Sequence, residues 1–231
     1  MAAATLARLR CLALAGTLLL ALTPARALQD TRAQEIAQCL PGEVQTWGDG
    51  RDGPSASAAW LFVYDSAGAP PWLDERLVLQ LLQRAAQGWA PCGLPAQIVT
   101  AAAAGRPDPA QALVRVQWSD AGARGNFGLA DVGRRTLSLG PAAFALLRQR
   151  NPAHPAAQTL QMVISHEMGH FLGLMAHSRR CVDVMSYYHD GRGGRCSARD
   201  ESLLKAYVEY RSVLPTACDI QRCRAANHLD K

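Results

Sequence analysis

The sequence predicts an α+β fold, with an α/β-like first half, in which a small twisted mixed sheet packs against two long helices. Aromatic and β-branched residues at Trp60–Asp65, and alternating apolar residues at Leu113–Trp118, predict strands. Apolar residues at helical spacing predict one long helix from Glu75 to about Trp89. A second long helix is expected from Pro155 to about Leu172, because proline is favoured in the first turn of a helix.

The remaining elements are expected to be short. Residues 28–57 are polar and rich in glycine towards their end, which predicts irregular structure, and residues 119–135 are expected to form a long loop. The predicted short elements are strands at Ile98–Ala101 and Thr136–Leu139, a helix at Ala142–Gln149 and a C-terminal helix at Arg199–Arg211.

An export signal is predicted at residues 1–27. Arg8 and Arg10 precede an apolar run, and Ala-Arg-Ala at residues 25–27 matches a small-x-small cleavage pattern. The run has about 12 residues, fewer than the ~20 that a membrane-spanning helix needs, so a membrane anchor is the weaker alternative. We therefore expect residues 28–231 to form one secreted or periplasmic domain without a membrane span, ending in a short cysteine-containing tail.

The charge distribution does not indicate nucleic-acid binding. The formal net charge is +5, and the arginines of the predicted signal supply three of these charges. No stretch combines clustered lysine or arginine with aromatic residues, so we predict no nucleic-acid partner. We also expect a monomer.

Cysteine usage predicts three disulfides. The chain has seven cysteines, and six remain after Cys11 is removed with the signal. An even number in an exported protein favours disulfides, and the absence of a Cys-x-x-Cys pair disfavours a thiolate metal site. Six cysteines allow fifteen connectivities. Proximity in the sequence favours Cys181–Cys196 and Cys218–Cys223, which leaves Cys39–Cys92.

A metal-binding motif lies near the end of the second long helix. His166-Glu167-Met168-Gly169-His170 has the pattern H-E-x-x-H. At 100° per residue, His166 and His170 lie about 40° apart around the helix axis and one turn apart along it, so both rings can reach one ion. Two imidazoles suit zinc, and Glu167 lies beside them as a base for a water molecule. The alternative is a surface helix that carries a cluster of histidines without a metal.

Three features downstream of the motif extend it. Gly173 provides a sharp turn, His177 follows four residues later, and Met185 lies within a loop that a disulfide is expected to brace. This stretch, HEMGHFLGLMAH…CVDVMSYY, resembles the metzincin metallopeptidases, and it looks most like the small secreted snapalysin-type neutral proteases. The resemblance covers about Leu160–Cys196.

The resemblance implies a secreted zinc endopeptidase acting on an extended peptide or protein substrate. It implies one catalytic zinc ion with Glu167 as general base and Met185 beneath the metal. Tyr187, two residues after Met185, is implied to contact the metal or stabilise the oxyanion, and a packing tyrosine is the alternative. By analogy with metzincin substrates, the peptide is expected to add as a strand along Thr136–Leu139.

The third ligand departs from the metzincin pattern. The usual position, ten residues after the first histidine, is Ala176, and alanine binds no metal. We expect His177, one residue later, to complete the set His166, His170 and His177. The alternatives are Asp183 or His189 as third ligand, or a two-histidine site completed by water.

Two other functions and two other sites stay open. A different peptidase clan would take its third ligand from a later helix, where Glu201 and Glu209 are candidates. A secreted zinc-binding or adhesion module without catalysis is the second alternative, although such a site needs no base at Glu167. The first of the two other sites is Cys39, acting as a thiolate switch on zinc. The second is a calcium site. The candidate calcium ligands are the carboxylates of Asp120 and Asp131.

Overall fold

A computed structural model describes residues 24–105 and 108–229 of the chain. The predicted export signal, residues 1–27, lies almost wholly outside the described residues. A helix at Pro24–Ala37 crosses the expected cleavage position, so the domain boundary at residue 27 stays a prediction. Within the described ranges, no helix is long and apolar enough to cross a membrane.

The described part confirms the α+β class. All five strands lie before residue 140, with helices between some of them, and only helices and a 3₁₀ turn follow. The expected irregular segment 28–57 therefore begins with the end of a helix. The helices are α1 (Pro24–Ala37), α2 (Glu75–Trp89), α3 (Asp120–Ala123), α4 (Pro141–Arg150), α5 (Ala156–Phe171) and α6 (Ala217–Ala226), with 3₁₀ turns at Ala90–Cys92 and Glu201–Lys205; the strands are β1 (Trp60–Tyr64), β2 (Ala96–Thr100), β3 (Ala112–Trp118), β4 (Gly128–Asp131) and β5 (Thr136–Leu139).

The five strands form one mixed sheet in the order β2-β1-β3-β5-β4. Four strands are parallel, and β4 runs antiparallel to β5 at one edge. All five residues of β1 are buried, as expected for a strand in the interior of a mostly parallel sheet. Along β3, buried residues alternate with more exposed ones, as its sequence pattern predicts.

The strand predicted at Thr136–Leu139 is confirmed, but it does not lie at an edge of the sheet, where a peptide could add to it. Residues 136–139 form β5, which lies inside the sheet between β3 and β4. The edge strand next to β5 is β4, which lies within the segment that was expected to be a loop. The sequence of β4 is Gly-Leu-Ala-Asp, which has no β-branched or aromatic residue and therefore carries no strand signal of its own.

The two long helices pack against each other and share one apolar core with the sheet. Phe171, the last residue of α5, makes edge-to-face contacts with Trp60 and Phe62 of β1, with ring centroids 5.6 and 5.7 Å apart. The indole nitrogen of Trp89, at the end of α2, donates to the carbonyl of Ser165 at 2.9 Å. These contacts hold α5, and with it the H-E-x-x-H motif, in a fixed position relative to the sheet.

The expected C-terminal helix at Arg199–Arg211 is also wrong. That segment holds a 3₁₀ turn at Glu201–Lys205 and is otherwise irregular, and the last helix is α6. Arg199 explains part of the difference, because its guanidinium and backbone N–H bind carboxylates of the N-terminal segment. The helix begins instead after Thr216, whose side chain forms a capping box with Asp219.

The described cysteines form three disulfides. Cys181–Cys196 is as expected, but the other two expected pairs are wrong. Two residues five apart on a helix point about 140° apart around its axis, so Cys218 and Cys223, both on α6, face away from each other. They bind different segments instead. The observed pairs are Cys39–Cys218 and Cys92–Cys223, which tie α6 to the N-terminal segment and to the end of α2.

Candidate metal centre

Helix α5 carries the first two candidate ligands. His166 and His170 lie one turn apart, with ring centroids 5.0 Å apart. Between them, Gly169 lets the methionine-containing turn approach the helix. A Cβ atom at Gly169 would lie 2.4 Å from Sδ of Met185 and 2.9 Å from the Trp89 ring, so any larger residue would displace these side chains.

A tight turn after α5 brings the third histidine back to the first two. Gly173 has φ +96°, and a Cβ atom there would lie 2.1 Å from the carbonyl oxygen of Gly53. Beyond the turn, the ring of His177 lies 5.1 Å from that of His166 and 5.3 Å from that of His170, centroid to centroid. One ligand atom from each ring lies within 4.8 Å of the others.

Hydrogen bonds determine which nitrogen of each ring is left for a ligand. Nδ1 of His166 lies 2.8 Å from the carbonyl oxygen of Val184, and Nδ1 of His170 lies 2.7 Å from that of Leu174. Nδ1 of His177 lies 2.6 Å from a carboxylate oxygen of Asp49. Carbonyl and carboxylate oxygens only accept, so each Nδ1 carries the proton and each Nε2 keeps its lone pair.

These residues fit a zinc ion. Burial, with the neighbouring histidines, lowers the pKa of His166 well below 6.5 and that of His170 to about 4. Burial also lowers the pKa of His177, so all three rings are neutral near pH 7. Nε2 of His177 is buried and has no hydrogen-bond partner in the part of the chain that the structure describes. Three neutral imidazoles beside an open cleft are a donor set typical of catalytic zinc.

Glu167 lies beside this cluster, 8% exposed. Its Oε2 accepts a hydrogen bond from the N–H of Ala130 on strand β4 at 2.8 Å. Burial raises the pKa of Glu167 to about 7, although the hydrogen bond from Ala130 opposes that change. A carboxyl group with a pKa near neutrality can both accept and return a proton at physiological pH.

The methionine-containing turn lies against α5, with Met185 fully buried. Tyr187 follows it and is 44% exposed. Its ring stacks on that of His177, with centroids 3.7 Å apart and planes 13° apart. Burial and the nearby carboxylate of Glu167 raise the pKa of Tyr187, so its phenol keeps its proton and can donate a hydrogen bond.

The three histidines, Glu167 and Tyr187 line one cleft of about 390 Å³. Strand β4 borders it on one side, and Met162 and Val163 of α5 border it on another. Arg211 also reaches the cleft, while its guanidinium pairs with Glu209. A larger cavity, of about 490 Å³ between α2 and β2, has no charged residue in its lining.

The alternative ligands lie elsewhere in the structure. The carboxylate of Asp183 accepts hydrogen bonds from Ser178, Arg180 and Thr216. His189 lines two cavities away from the cluster, and Glu209 binds Arg211. Glu201 is exposed in the 3₁₀ turn.

The other candidate metal sites are not assembled either. Cys39 is held in a disulfide, so this structure has no free thiolate there. Asp120 and Asp131 accept hydrogen bonds from the backbone N–H groups of Ala142 and Arg134. Among the described residues, neither aspartate belongs to a group that could hold a metal ion.

Four polar residues around the cluster were not expected. Asp49 binds His177, and Asp52 accepts from the N–H of Ala176 at 2.9 Å. Arg222 donates to Asp52 and to the carbonyl of Ala176. Asp219 accepts from the N–H of Val184 at 2.9 Å. All four lie far from the motif in the sequence, and a single sequence contains no signal that links them to it.

Comparisons with known proteins find similarity in structure only. No protein-family model matches the sequence, and no curated protein matches it. Among solved structures, the GM1-bound form of the ECX AB5 holotoxin matches at 14% identity and a TM-score of 0.47, covering 77% of this chain and 87% of that one. A zinc-dependent peptidase from Methanocorpusculum labreanum (strain Z) matches at 14% identity and a TM-score of 0.35, covering 70% and 98%. At this level of similarity, neither structure says anything about the activity of this chain.

Proposed function

We propose that this protein is a secreted zinc-dependent endopeptidase of the metzincin type. One observation carries the proposal: the imidazoles of His166, His170 and His177 converge within 4.8 Å of one another, beside the buried carboxyl group of Glu167. A purely structural metal site needs no such carboxyl group. The open cleft in front of these residues gives a peptide access to them.

The three histidines hold the metal in this proposal, each through Nε2. When bound, zinc supplies Lewis acidity, which polarises a carbonyl group and acidifies water. The neutral rings contribute no positive charge of their own, and the hydrogen bonds on Nδ1 keep each ring in place. Met185 packs beneath them and binds no metal.

Glu167 is the general base and then the general acid. Its Oε2 is held by the N–H of Ala130, while Oε1 accepts the proton of the water molecule that attacks the scissile carbonyl. The same atom returns that proton to the amine as the peptide bond breaks. The raised pKa of Glu167 suits both steps, because neither protonation state is strongly favoured near pH 7.

Strand β4 offers its free edge to the substrate. In an antiparallel pair, backbone groups point alternately towards and away from the partner strand. The N–H of Ala130 donates to Glu167 and therefore points away from β5, so Leu129 and Asp131 face β5. The N–H and carbonyl of Gly128 and the carbonyl of Ala130 then face outward. An extended peptide adds there as a further strand, which replaces the expected site along Thr136–Leu139.

Tyr187 assists the reaction in this proposal. Its phenol donates a hydrogen bond to the oxyanion of the tetrahedral intermediate, and the stacking contact with His177 holds the ring beside the cluster. Packing and catalysis are therefore compatible roles for this residue.

Secretion is supported by the disulfides and by the predicted signal. Three disulfides are typical of proteins that fold in oxidising compartments. The signal itself is a prediction from residues 1–27. Amino-terminal sequencing of the protein from the medium or periplasm of an expressing cell checks it, with Leu28 as the expected first residue.

A digestion assay tests the enzymatic proposal. Zinc-loaded protein is expected to hydrolyse casein, to lose activity with a chelator and to regain it when zinc is restored. Glu167→Ala is expected to lower kcat/KM by at least about 100-fold, because general acid–base catalysis contributes about 10² to 10⁴.

Glu201→Gln serves as the matched control, since Glu201 is exposed and lies outside the cleft. It is expected to digest casein at the wild-type rate. Zinc-loaded wild type that binds one ion yet cleaves no peptide would favour the second candidate, a non-catalytic zinc-binding module. A wild type that binds no zinc would contradict both.

A further inference from the structure

The carboxylate of Asp49 takes two hydrogen bonds from a single residue, His177. The backbone N–H of His177 lies 2.9 Å from Oδ1, and ring Nδ1 lies 2.6 Å from Oδ2. His166 and His170 use backbone carbonyl oxygens for the same purpose. His177 is therefore the one ring of the three whose orientation depends on a charged side chain.

A short arm of the N-terminal segment, residues 46–53, carries Asp49. This arm runs beside the loop at residues 173–178: the N–H of Trp47 donates to the carbonyl of His177 at 3.0 Å, and the N–H of Gly53 donates to that of Gly173 at 3.1 Å. A Cβ atom at Gly50 would lie 2.2 Å from the carbonyl oxygen of Met175, so the two backbones are in contact. The position of Asp49 is thus fixed by the backbone on both sides.

The same arm binds two neighbouring peptide groups of the loop that carries His177. Asp52 accepts from the N–H of Ala176, and Asp49 accepts from the N–H of His177. Two successive N–H groups of the loop are therefore bound by carboxylates of the arm. Arg222 fixes the carbonyl of Ala176 in addition. Of the two aspartates, only Asp49 also binds the ring of His177.

We propose that Asp49 is a positioning residue of the metal site, which fixes the orientation and the tautomer of His177. A carboxylate accepts and cannot donate, so it requires the proton of the ring on Nδ1. The lone pair is then on Nε2, a buried nitrogen that has no hydrogen-bond partner among residues 24–105 and 108–229. This inference rests on the proposed zinc site and adds to it a residue outside the H-E-x-x-H motif.

Asp49→Asn separates this role from simple anchoring of the loop. The carboxamide oxygen of the variant still accepts from the backbone N–H of His177, but its NH₂ group then faces ring Nδ1. An NH₂ group only donates, so it favours the tautomer with the proton on Nε2. That tautomer must lose its proton before it can bind a metal.

Two measurements test the proposal. Competition with a chromophoric chelator gives the zinc affinity, which is expected to fall about 10- to 100-fold in Asp49→Asn, as for other partners of ligating histidines. In the metal-free protein, ¹⁵N–¹H NMR of the imidazole groups is expected to show the proton of His177 on Nδ1 in wild type and on Nε2 in the variant.

Asp52→Asn is the matched control. Asp52 lies on the same arm and binds the same loop, but it touches no histidine ring. It is expected to lower thermal stability while leaving the tautomer of His177 unchanged and the zinc affinity close to that of wild type. An equal loss of zinc affinity in both variants, with the proton still on Nδ1, would mean that the arm only anchors the loop, and would overturn the proposal.

Asp49→Glu keeps the carboxylate and gives a second test if Asp49→Asn folds poorly. It is expected to keep the proton of His177 on Nδ1 and to bind zinc more tightly than Asp49→Ala. Equal zinc affinity in Asp49→Ala and wild type would also overturn the proposal. Wild-type protein that binds no zinc is a different result, because it contradicts the proposed function itself.

Discussion

Nδ1 of His166 lies 2.8 Å from the carbonyl oxygen of Val184, and this contact joins the first candidate ligand to the methionine-containing turn. The backbone N–H of Val184 donates to Asp219 on α6 at 2.9 Å. Helix α6 is held in turn by the disulfides of Cys218 and Cys223. The orientation of His166 therefore depends on a helix more than 50 residues further along the chain.

Removal of His177 is expected to weaken zinc binding more than removal of any partner of a ligand. The proposed three-histidine site loses one of its three protein ligands in His177→Ala. The zinc affinity should therefore fall by more than about 100-fold, the largest loss typical when only a hydrogen-bond partner of a ligating histidine is removed. Isothermal titration calorimetry on the metal-free protein measures the affinity and the stoichiometry.

His189→Ala provides the comparison for this prediction. His189 was an alternative third ligand, and it lines cavities away from the cluster. Its removal should leave zinc affinity unchanged. Zinc bound as tightly by His177→Ala as by wild type would remove His177 from the site.

Tyr187→Phe tests stabilisation of the transition state. If the phenol donates to the oxyanion, kcat should fall by about 10²-fold while KM stays constant, as when one oxyanion donor is lost. The ring and its stacking on His177 are kept in phenylalanine, so zinc affinity should not change. Steady-state kinetics on a short peptide measure both constants. An unchanged kcat in the variant would mean that Tyr187 only packs against the site.

Gly173→Ala tests the turn that returns the chain to the metal centre. A non-glycine residue in the left-handed region costs about 1–2 kcal/mol, and the contact of Cβ with the carbonyl oxygen of Gly53 adds about 1–3 kcal/mol of overpacking. Denaturant unfolding of the metal-free wild type and variant measures the loss of unfolding free energy.

Gly42→Ala is the control for the backbone conformation alone. Gly42 has φ +86°, and a Cβ atom there would meet nothing within 4 Å. Gly42→Ala should therefore lose only the about 1–2 kcal/mol that a non-glycine residue costs in the left-handed region. Equal losses of unfolding free energy at Gly42 and Gly173 would show that the turn can move away from Gly53.

The candidate metal helix could be predicted because its signal is local. His166 and His170 are related by the geometry of a single helix, and Pro155 and Gly173 mark its two ends. The strands β1 and β3 were found for the same reason, since aromatic and alternating residues show their pattern within a few positions. The confirmed disulfide, Cys181–Cys196, closes a short loop.

The remaining features depend on contacts between distant segments. Strand β4 is stabilised by its pairing with β5, and its own residues have little β-propensity. Asp49 meets His177 across a sequence separation of 128 residues, within a stretch whose glycines and aspartates indicate only turns. The two unexpected disulfides span 179 and 131 residues, so proximity in the sequence could not find them.

A pair of buried carboxyl groups behind the site predicts an unusual pH dependence of stability. The hydroxyl of Thr216 contacts both Asp183 and Asp219. Burial, reinforced by the neighbouring Asp219, raises the pKa of Asp183 from 3.8 to about 7, and burial also raises the pKa of Asp219. The folded protein therefore retains a proton on this pair that the unfolded chain has released. The protonated pair makes its whole contribution to the free energy of unfolding below pH 3.8. This stabilisation is lost as the pH rises to about 7.

Asp219→Asn removes one of the two ionisable groups, so this pH dependence should become weaker. Each additional proton retained by the folded state changes the free energy of unfolding by about 1.4 kcal/mol per pH unit. Urea unfolding between pH 5 and 7 measures this slope of the free energy of unfolding. A chelator keeps both proteins metal-free, so the histidines contribute equally in wild type and Asp219→Asn. Asp108→Asn, the same chemical change at an exposed position, should keep the wild-type slope. A wild-type slope in Asp219→Asn as well would mean that the pair holds no extra proton at these pH values.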